Sequence, residues 1–382
     1  MSRARILIAM IEVGGGHKAP AMALRDAIDK LYPGSFEVEV LDFMKATGNH
    51  RLDTLHKAGW QWMLEHPGTT LTLQRVMDQA IPVRFTRWLQ ARLLSRHIAR
   101  AAEFVGERGY NILVATHFMP LQALALGKRH LHISAPLIGV NSDLFDGHAL
   151  WAERHATELI VSSRESLELL LAKGVPREKL KLFGYPVGLQ FLETKETQAA
   201  AREHLGLARD KLTVLHSCGM EGVGGRLKEF IGAVLTADLD IQYLIITGRN
   251  QRLFVELQNL AAAYRGRTRL LLCSNVDNMA RWIKASDMVL GKAGAASTYE
   301  ALYLGRPVFH ISYAALNEKR NVDYCTRQGV GAYLSEPGTL VCQLRRFLDH
   351  PELLVDAKRR VRKLHLRPGT LDIANHIVQK VG

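Results

Sequence analysis

The stretch AMIEVGGGHKAPAMALRDAI, residues 9–28, passes from an apolar run through three consecutive glycines into a helical pattern. A buried strand followed by a glycine-rich turn and a helix is the opening unit of a parallel α/β sheet. The backbone N–H groups of such a turn and the positive end of the helix dipole favour a negatively charged ligand. The stretch therefore predicts an α/β fold with a ligand-binding turn at its centre.

The same turn admits more than one interpretation. Gly14, Gly16 and Ala19 satisfy the dinucleotide fingerprint G-x-G-x-x-G/A, but Asp42 fits only loosely as the acidic residue that the fingerprint requires after the second strand. The glycines also fit a turn that needs them for steric reasons alone, with His17 satisfied internally. The fingerprint leaves His17 unexplained, whereas a histidine is suited to removing a proton from a hydroxyl at neutral pH. We favour this last interpretation.

Apolar runs alternate with amphipathic helical patterns along nearly the whole chain, which is typical of parallel α/β proteins. The first half contains the predicted strands RILIAMIEV (5–13), FEVEVLDF (36–43), NILVAT (111–116), APLIGVN (135–141), ELIVS (158–162) and KLKLFG (179–184). The second half contains LTVLHS (212–217), IQYLIITG (241–248), TRLLLCS (268–274), DMVLGK (287–292) and PVFHIS (307–312). We predict two Rossmann-like domains, 1–190 and 191–365, facing a cleft. A C-terminal helix in 366–382 is expected to pack back on the first domain.

Composition and charge narrow the class of protein. The 382 residues are 47% hydrophobic and 23% charged, with no apolar run long enough to span a bilayer and no secretion signal. We therefore expect a cytoplasmic protein. The four dispersed cysteines and the lack of HxH or HExxH spacing predict reduced thiols and no metal site. The net charge of +13 has two interpretations. Either the basic surface has no partner, or it attracts an anionic one, namely a nucleotide, a membrane surface or nucleic acid.

Residues 44–108 depart from the alternation, because they hold no convincing strand. Their aromatic and basic residues include Trp60, Trp62, Phe85, Trp88, Arg92, Arg96 and Arg100. One interpretation is a helix that packs its apolar side on the first sheet and leaves its arginines in water. The other is a membrane-associating helix, since tryptophan at headgroup level and arginine facing anionic lipid support interfacial attachment.

Polar residues follow many of the predicted strands, where the carboxyl ends of parallel strands face a ligand crevice. In the first half they are Gly15, Gly16, His17, His117, Asp143, Asp146, His148 and Trp151. Two glycine-rich turns of the second half offer backbone donors to phosphate, and a carboxylate one helical turn beyond can bond both hydroxyls of a ribose. The second-half candidates are Gly219, Glu221, Gly222, Gly224, Arg249, Lys292, Gly294, Ser297, Glu300, Asn317, Glu318 and Asn321. Helix caps, tight turns and solvated loops are the plain alternatives for these residues.

Six short motifs occur in a fixed order along the chain. They are GGGHKAPAMAL (14–24), GYPV (184–187), GMEGVG (219–224), ITGRN (246–250), KAGAASTYEAL (292–302) and NEKRNV (317–322). With these motifs in this order, the chain resembles the inverting lipid glycosyltransferases of the GT-B fold. The specific resemblance is to the monogalactosyldiacylglycerol synthases and the processive diacylglycerol glucosyltransferases. The resemblance covers nearly the whole chain and implies a GT-B fold.

The resemblance also implies roles for particular residues. The implied base for the acceptor hydroxyl is His17, with Asp143 as its orienter or back-up base. The implied donor contacts are Gly294 and Ser297 to the diphosphate, Glu300 to the ribose, and Asn317 and Glu318 to the sugar. The region 44–108 corresponds to the part that meets lipid. The chain departs from its relatives at Ala295, Ala296 and Asn317, which bears on the identity of the sugar and on donor affinity. It also has Met220 where a glycine is common, which is expected to narrow that loop.

The predicted reaction is transfer of galactose or glucose from a UDP-sugar to diacylglycerol, with inversion and without a cofactor. We expect peripheral association with the inner face of the cell membrane, activation by anionic lipid and no nucleic-acid partner. The alternatives are transfer of N-acetylglucosamine to a polyprenyl-linked cell-wall precursor, a nucleotide-sugar epimerase, a dinucleotide oxidoreductase, and a non-catalytic basic module that binds membrane or nucleic acid.

Overall fold

The protein consists of two compact units. The computed structural model describes residues 3–66, 68–72, 74, 92, 95–131, 133–222 and 226–381. Unit 1 comprises Met1–Leu189, Ala315–Asn317 and Arg367–Gly382, and unit 2 comprises Gln190–Ala314 and Glu318–Leu366. Each unit is built on its own sheet of six strands.

The strands of unit 1 are short, buried apolar runs that pair in parallel. They are Ala4–Met10 (β1), Phe36–Asp42 (β2), Ile112–Ala115 (β3), Leu137–Val140 (β4), Glu158–Val161 (β5) and Leu180–Leu182 (β6). Their order in the sheet is β2-β1-β3-β4-β5-β6, with every neighbouring pair parallel. The order reverses between β1 and β3. This is the switch point at which doubly wound sheets bind ligands.

Helices cover both faces of this sheet. They are Lys18–Leu31 (α1), Phe43–Ala46 (α2), His50–Glu65 (α3), Ser95–Arg108 (α4), Phe118–Leu131 (α5) and Arg164–Ala172 (α6), with 3₁₀ turns at Ala149–Trp151 and Arg177–Lys179. Alternate residues of β1 face opposite ways. Leu7 and Ala9 join the apolar cluster of α4 and α5, whereas Ile6 and Ile8 join the cluster of α1.

Unit 2 repeats the architecture. Its strands are Thr213–Ser217 (β7), Gln242–Ile246 (β8), Arg269–Cys273 (β9), Met288–Lys292 (β10), Val308–Ser312 (β11) and Gly331–Tyr333 (β12). Its helices are Leu189–Glu193 (α7), Gln198–His204 (α8), Leu227–Ala237 (α9), Gln251–Ala263 (α10), Met279–Ala285 (α11), Ala295–Tyr303 (α12), Leu316–Arg327 (α13), Pro337–Asp349 (α14) and Pro351–Lys363 (α15). The parallel sheet has the order β12-β11-β10-β7-β8-β9, so its switch point lies between β7 and β10.

The last helix, Thr370–Val378 (α16), belongs to unit 1. Ile373, Ala374 and Ile377 share an apolar cluster with α1 and with Ile6 and Ile8 of β1. The chain returns through a close backbone contact, because a Cβ at Gly184 would lie 1.6 Å from the carbonyl oxygen of Arg367. Only glycine fits at this crossing.

The α/β class with two parallel sheets is therefore confirmed, and each of the eleven predicted strands is present. The strand that the sequence missed is β12. Among the described residues between β2 and β3 there is no strand, as the composition of that region indicated. Within the described ranges, every helix is too short or too polar to cross a bilayer.

Candidate active site

The turn after β1 lies at the switch point of unit 1 and leads directly into α1. Gly14 has a φ of +64°, in the left-handed region that favours glycine. The carbonyl of Gly15 accepts the N–H of Ala19 at 3.0 Å, which begins the helix. A Cβ at Gly14 or Gly16 would meet no atom within 4 Å, so open space lies beside the turn.

His17 is held by residues that follow the two neighbouring strands. Its Nδ1 lies 3.1 Å from the backbone oxygen of Thr116, directly after β3, and 2.6 Å from Oγ of Ser142, in the loop after β4. Burial lowers the pKa of His17 below its ordinary value, against the opposing charge of Asp143 and the hydrogen bond to Thr116. The ring is therefore neutral at neutral pH, which is the form that can accept a proton.

Aromatic rings surround His17 inside unit 1. The ring of His117 lies 4.3 Å from that of His17 and 5.4 Å from that of His56 on α3, and Phe118 stacks on His117 at 4.3 Å. His117 is 2% exposed, and burial holds its pKa well below the ordinary value. Sequence reasoning missed His56, because α3 lies in a region that was interpreted through its tryptophans.

Asp143 is the buried anion of this site. Its Oδ2 accepts the indole N–H of Trp151 at 2.7 Å and lies 3.2 Å from Nε2 of His148, while its Oδ1 accepts the amide of Asn317 at 2.5 Å. Burial alone would raise the pKa of Asp143. The hydrogen bonds from His148 and Asn317 and the charges of His148 and His17 outweigh burial and lower that pKa to about 2.

The structure gives several predicted residues of unit 1 contacts within the protein. Trp151 and His117 are buried, so in this conformation they contact protein rather than an acceptor. Within the described part of the chain Asp143 makes no hydrogen bond to His17, and the contacts that orient His17 come from Thr116 and Ser142 instead. Asp143 acts on His17 through its charge. Thr116 and Ser142 were missed because small hydroxyl residues after a strand are common and carry no distinctive pattern.

The predicted lipid-facing residues do not share one environment. Trp60 packs against the apolar cluster of Ile11, Val13 and Met44, whereas Trp62 is 43% exposed and stacks on the exposed His66. Arg92 and Arg96 are exposed. The described part of α4 buries its apolar side, including Ala101 and Val105, in the core of unit 1. Phe85 and Trp88 lie outside the described residues.

Two loops of unit 2 pack on each other at the carboxyl ends of β7 and β8. Gly222 has a φ of +59°, and a Cβ there would lie 2.0 Å from the carbonyl oxygen of Thr247. Asn250 donates its amide to the carbonyl of Gly222 at 2.8 Å, and the N–H of Arg249 donates to the carbonyl of Met220 at 2.8 Å. The described part of the GMEGVG motif, residues 219–222, therefore packs against the ITGRN motif.

Other predicted residues of these loops are placed as follows. Gly219 has a φ of +75° and open space at its Cβ position. Glu221 and Arg249 form an exposed ion pair at 3.4 Å. Gly224 lies outside the described residues. Asn250, which caps α10 by accepting the N–H of Leu253 at 2.9 Å, was not singled out in the sequence.

The loop after β10 presents the start of α12. Gly294 is the N-cap residue, and no side chain caps the N–H groups of the first turn. Ser297 donates its hydroxyl to the carbonyl of Gly294 at 3.2 Å. Within the described residues the carboxyl of Glu300, two helical turns on, has no hydrogen-bond or ion-pair partner, and burial raises its pKa to about 7. Free N–H groups beside such a carboxyl are suited to a nucleoside diphosphate.

The implied sugar contacts Asn317 and Glu318 and the donor-binding candidate Asn321 lie on α13, where the structure gives their side chains protein partners. Glu318 is 6% exposed, pairs with Nζ of Lys292 at 2.7 Å and accepts the N–H of Ala314 at 2.7 Å. Asn321 is also buried and donates its amide to the carbonyl of Ala293 at 2.9 Å. These side chains brace the loops after β10 and β11. Asn317 lies in the first turn of α13, whose first two residues belong to unit 1, and its amide donates to Asp143.

Solved structures of other proteins align with nearly the whole of this chain and share its fold. MurG of Acinetobacter baumannii aligns with 98% of this chain and 99% of its own, with a TM-score of 0.62 and 15% identity. The structure of Anabaena Alr3699/HepE in complex with UDP aligns with 98% of each chain, with a TM-score of 0.55 and 14% identity. In this chain itself, no group of three His, Cys, Asp or Glu side chains among the described residues is arranged to hold a metal ion.

Sequence comparisons cover both units. The family model for monogalactosyldiacylglycerol (MGDG) synthase matches residues 17–187, and that for the glycosyltransferase family 28 C-terminal domain matches residues 226–361. A probable monogalactosyldiacylglycerol synthase 2 of Oryza sativa subsp. indica, named as chloroplastic, is 26% identical over 96% of this chain and 82% of its own length.

Two parallel sheets of this topology, together with a glycosyltransferase domain match over unit 2, define a glycosyltransferase of the GT-B fold. Within that class, the first part of the chain matches the model for monogalactosyldiacylglycerol synthases and the second part matches that for family 28 glycosyltransferases, so the chain is similar to the enzymes of both.

Proposed function

We propose that this enzyme transfers a hexose from a UDP-sugar to the free hydroxyl of diacylglycerol, with inversion at the anomeric carbon. The acceptor and a galactosyl donor are supported by the names of the relatives, which are monogalactosyldiacylglycerol synthases. The UDP part of the donor is supported by the UDP complex of a protein with the same fold. Galactose is the first donor to test, with glucose as the alternative.

The observation that carries the mechanism is His17, a neutral and partly accessible histidine at the switch point of unit 1. In the proposed step the acceptor oxygen bonds to the anomeric carbon while the bond from that carbon to the UDP oxygen breaks. The acceptor proton passes to His17, and UDP leaves with the electron pair. The negative charge of Asp143 stabilises the resulting imidazolium.

Unit 2 supplies the proposed donor site. The diphosphate would lie at the uncapped start of α12, beside Gly294 and Ser297, where backbone N–H groups favour negative charge. Glu300 would accept hydrogen bonds from the ribose hydroxyls, which gives its unpartnered carboxyl a role. Lys292 and Glu318 would act by bracing the loop through their ion pair.

The acceptor is a membrane lipid, so the proposed reaction occurs at a bilayer surface. The net charge of +13, the exposed Arg92 and Arg96, and the exposed Trp62 support peripheral binding to anionic lipid and activation by it. Placement at the inner face of the cell membrane rests on the sequence of this chain alone.

The test is incubation of the purified protein with labelled UDP-galactose or UDP-glucose and diacylglycerol in anionic micelles. Formation of a labelled monoglycosyldiacylglycerol is the expected result. His17→Ala should lower kcat by at least about 100-fold while UDP affinity stays within about twofold. Absence of labelled lipid with both donors would overturn the proposal, and loss of UDP binding in His17→Ala would instead assign the turn to the nucleotide.

A further inference from the structure

The hydrogen bonds around His17 determine which ring nitrogen carries its proton. Nδ1 lies 3.1 Å from the backbone oxygen of Thr116 and 2.6 Å from Oγ of Ser142. A carbonyl oxygen can only accept a hydrogen bond. The Ser142 hydroxyl can donate or accept, but a bare Nδ1 lone pair would face the Thr116 oxygen unfavourably. With the proton on Nδ1, both oxygens accept from the same N–H, and Nε2 carries the lone pair.

Thr116 contacts His17 twice. Besides accepting from Nδ1 through its carbonyl, Thr116 donates its side-chain hydroxyl to the backbone carbonyl of His17 at 2.9 Å. Thr116 is fully buried directly after β3, which fixes its position. The two bonds therefore tie both the backbone and the ring of His17 to the neighbouring strand.

Ser142 completes the arrangement from the loop after β4. It is 2% exposed, and its hydroxyl makes a single hydrogen bond within the described residues, the short contact to Nδ1 of His17. A buried hydroxyl loses its water and must regain a partner, so this contact is costly to remove. When His17 accepts a proton, the hydrogen bonds from Nδ1 become charge-assisted and stronger.

We propose that Thr116 and Ser142 are the positioning residues of His17, which select the Nδ1–H tautomer and keep Nε2 as the atom that accepts the acceptor proton. The tautomer is inferred from the Thr116 carbonyl that faces Nδ1, whereas the kinetic consequence rests on the proposed function. Neither residue needs to touch the substrate.

Four titratable groups act on His17 or its neighbours from the elements packed around it. His117 follows β3, His56 lies on α3, and His148 and Asp143 lie in the loop after β4. The cationic forms of these histidines would oppose protonation of His17, whereas Asp143 favours it. Removal of the Ser142 hydroxyl leaves these four groups in place, so its effect on the titration of His17 can be measured separately.

The tautomer is tested directly by ¹⁵N NMR of the full-length protein labelled at histidine, with the His17 signals assigned by their loss in His17→Gln. The expected spectrum of the neutral form has a protonated Nδ1 and a bare Nε2. A protonated Nε2 would overturn the proposal. This measurement needs no substrate, so it stands whether or not the enzyme uses diacylglycerol.

The kinetic test compares Ser142→Ala, Ser142→Thr and the wild type. We expect Ser142→Ala to lower kcat roughly tenfold with little change in KM, and Ser142→Thr to recover most of the loss. The acid limb of the kcat profile should move to lower pH in Ser142→Ala, because a hydrogen bond that stabilises the imidazolium is lost. A purely structural role would leave that limb unmoved and would overturn the proposal.

Ser286→Ala is the matched control. Ser286 is a fully buried serine in unit 2 that donates to the carbonyl of Ile283 at 2.8 Å, just before β10 and at the opposite end of that strand from the donor loop. It should lose stability comparably but keep its kcat and pH profile. If the wild type makes no glycolipid, the proposed function fails while the NMR result still decides the tautomer.

Discussion

The carboxyl group of Glu300 is present in both its protonated and its ionised form at neutral pH. Burial raises its pKa to about 7, and the described residues offer it no partner. A carboxylate accepts hydrogen bonds from two ribose hydroxyls better than a carboxylic acid does. Affinity for a ribose-containing ligand should therefore increase as the pH rises through 7.

Calorimetric titration with UDP tests this at pH 6 and pH 8. The wild type should bind more tightly at pH 8, whereas Glu300→Gln should bind weakly at both. Since the terminal phosphate of UDP also titrates near pH 6, Glu229→Gln, an exposed change on α9 of the same unit, is the reference. Equal pH dependence in Glu300→Gln and Glu229→Gln would contradict the role of Glu300.

The sequence predicted which residues lie near the strand ends but not the direction in which their side chains point. His17 was singled out because its type and position were both unusual. Glu318 and Asn321 follow a strand as ligand residues do, yet both turn inward and brace loops. Spacing along a chain places a residue near a strand end, whereas the partner of its side chain depends on distant segments such as Lys292 and Ala293.

Among the structural elements, the paired loops after β7 and β8 depend on Gly222. A side chain there would combine a left-handed backbone with a Cβ placed 2.0 Å from the carbonyl oxygen of Thr247. The loops would have to separate. Since their backbone lies at the switch point of unit 2, their separation should disturb any phosphate held there.

We expect Gly222→Ala to destabilise the protein by about 1–3 kcal/mol and to weaken UDP binding at least tenfold. The matched control is Gly232→Ala in the middle of α9, where a Cβ meets no atom within 4 Å. This second substitution should stabilise the helix by about 0.5–1 kcal/mol. Urea unfolding and UDP titration of both variants provide the check, and unchanged UDP affinity in Gly222→Ala would argue against a donor site at these loops.

Helix α3 carries an apolar face in water. Leu55 and Trp62 are 70% and 43% exposed, and the exposed Ala58 and Gly59 lie between them at helical spacing. Leucine and tryptophan on such a face are suited to the boundary between headgroups and acyl chains. The sequence identified the region but assigned its tryptophans alike, although Trp60 packs inward.

Replacement of Leu55 and Trp62 together by serine should weaken binding to phosphatidylglycerol vesicles about tenfold or more, because apolar area is no longer transferred to lipid. Vesicle co-sedimentation measures this. Val255→Ser removes a comparably exposed apolar side chain from α10 of unit 2 and should leave binding unchanged. Equal binding by the double variant and the wild type would remove α3 from the membrane contact.

The elements themselves were largely predictable, because buried parallel strands are continuous apolar runs between glycine-rich turns. The strand β12 was missed for a physical reason. It has three residues, begins with a glycine and lies at the edge of its sheet, so neither length nor hydrophobicity marks it. Its Gly331 is required because a Cβ would lie 1.7 Å from the carbonyl oxygen of Val308.

For the molecule as a whole, two neutral histidines link stability to pH. His216 on β7 and His310 on β11 are fully buried, and burial lowers the pKa of each to about 3. Well above pH 6.5 neither the folded nor the unfolded chain binds a proton at these sites. As the pH falls from 6.5 toward 3, the unfolded chain binds protons that the folded chain excludes, so stability decreases.

Each histidine should contribute a slope of up to about 1.4 kcal/mol per pH unit in that range. His216→Phe should therefore lower the slope of the unfolding free energy against pH by the amount that corresponds to close to one proton, whatever its effect on stability at pH 7. The measurement is urea unfolding at half-unit steps from pH 4.5 to 7. His350→Phe, an exposed site on unit 2, is the control, and parallel profiles for the two variants would refute the linkage.

The return of α16 to unit 1 has a consequence for biosynthesis. Ile373 and Ile377 cover the same apolar cluster as Ile6 and Ile8, yet they leave the ribosome after every residue of unit 2. The first sheet is thus translated early but gains this covering helix only after unit 2 has been translated. During that interval its uncovered face is a surface for chaperones, and a fragment ending at the unit boundary would keep that face exposed.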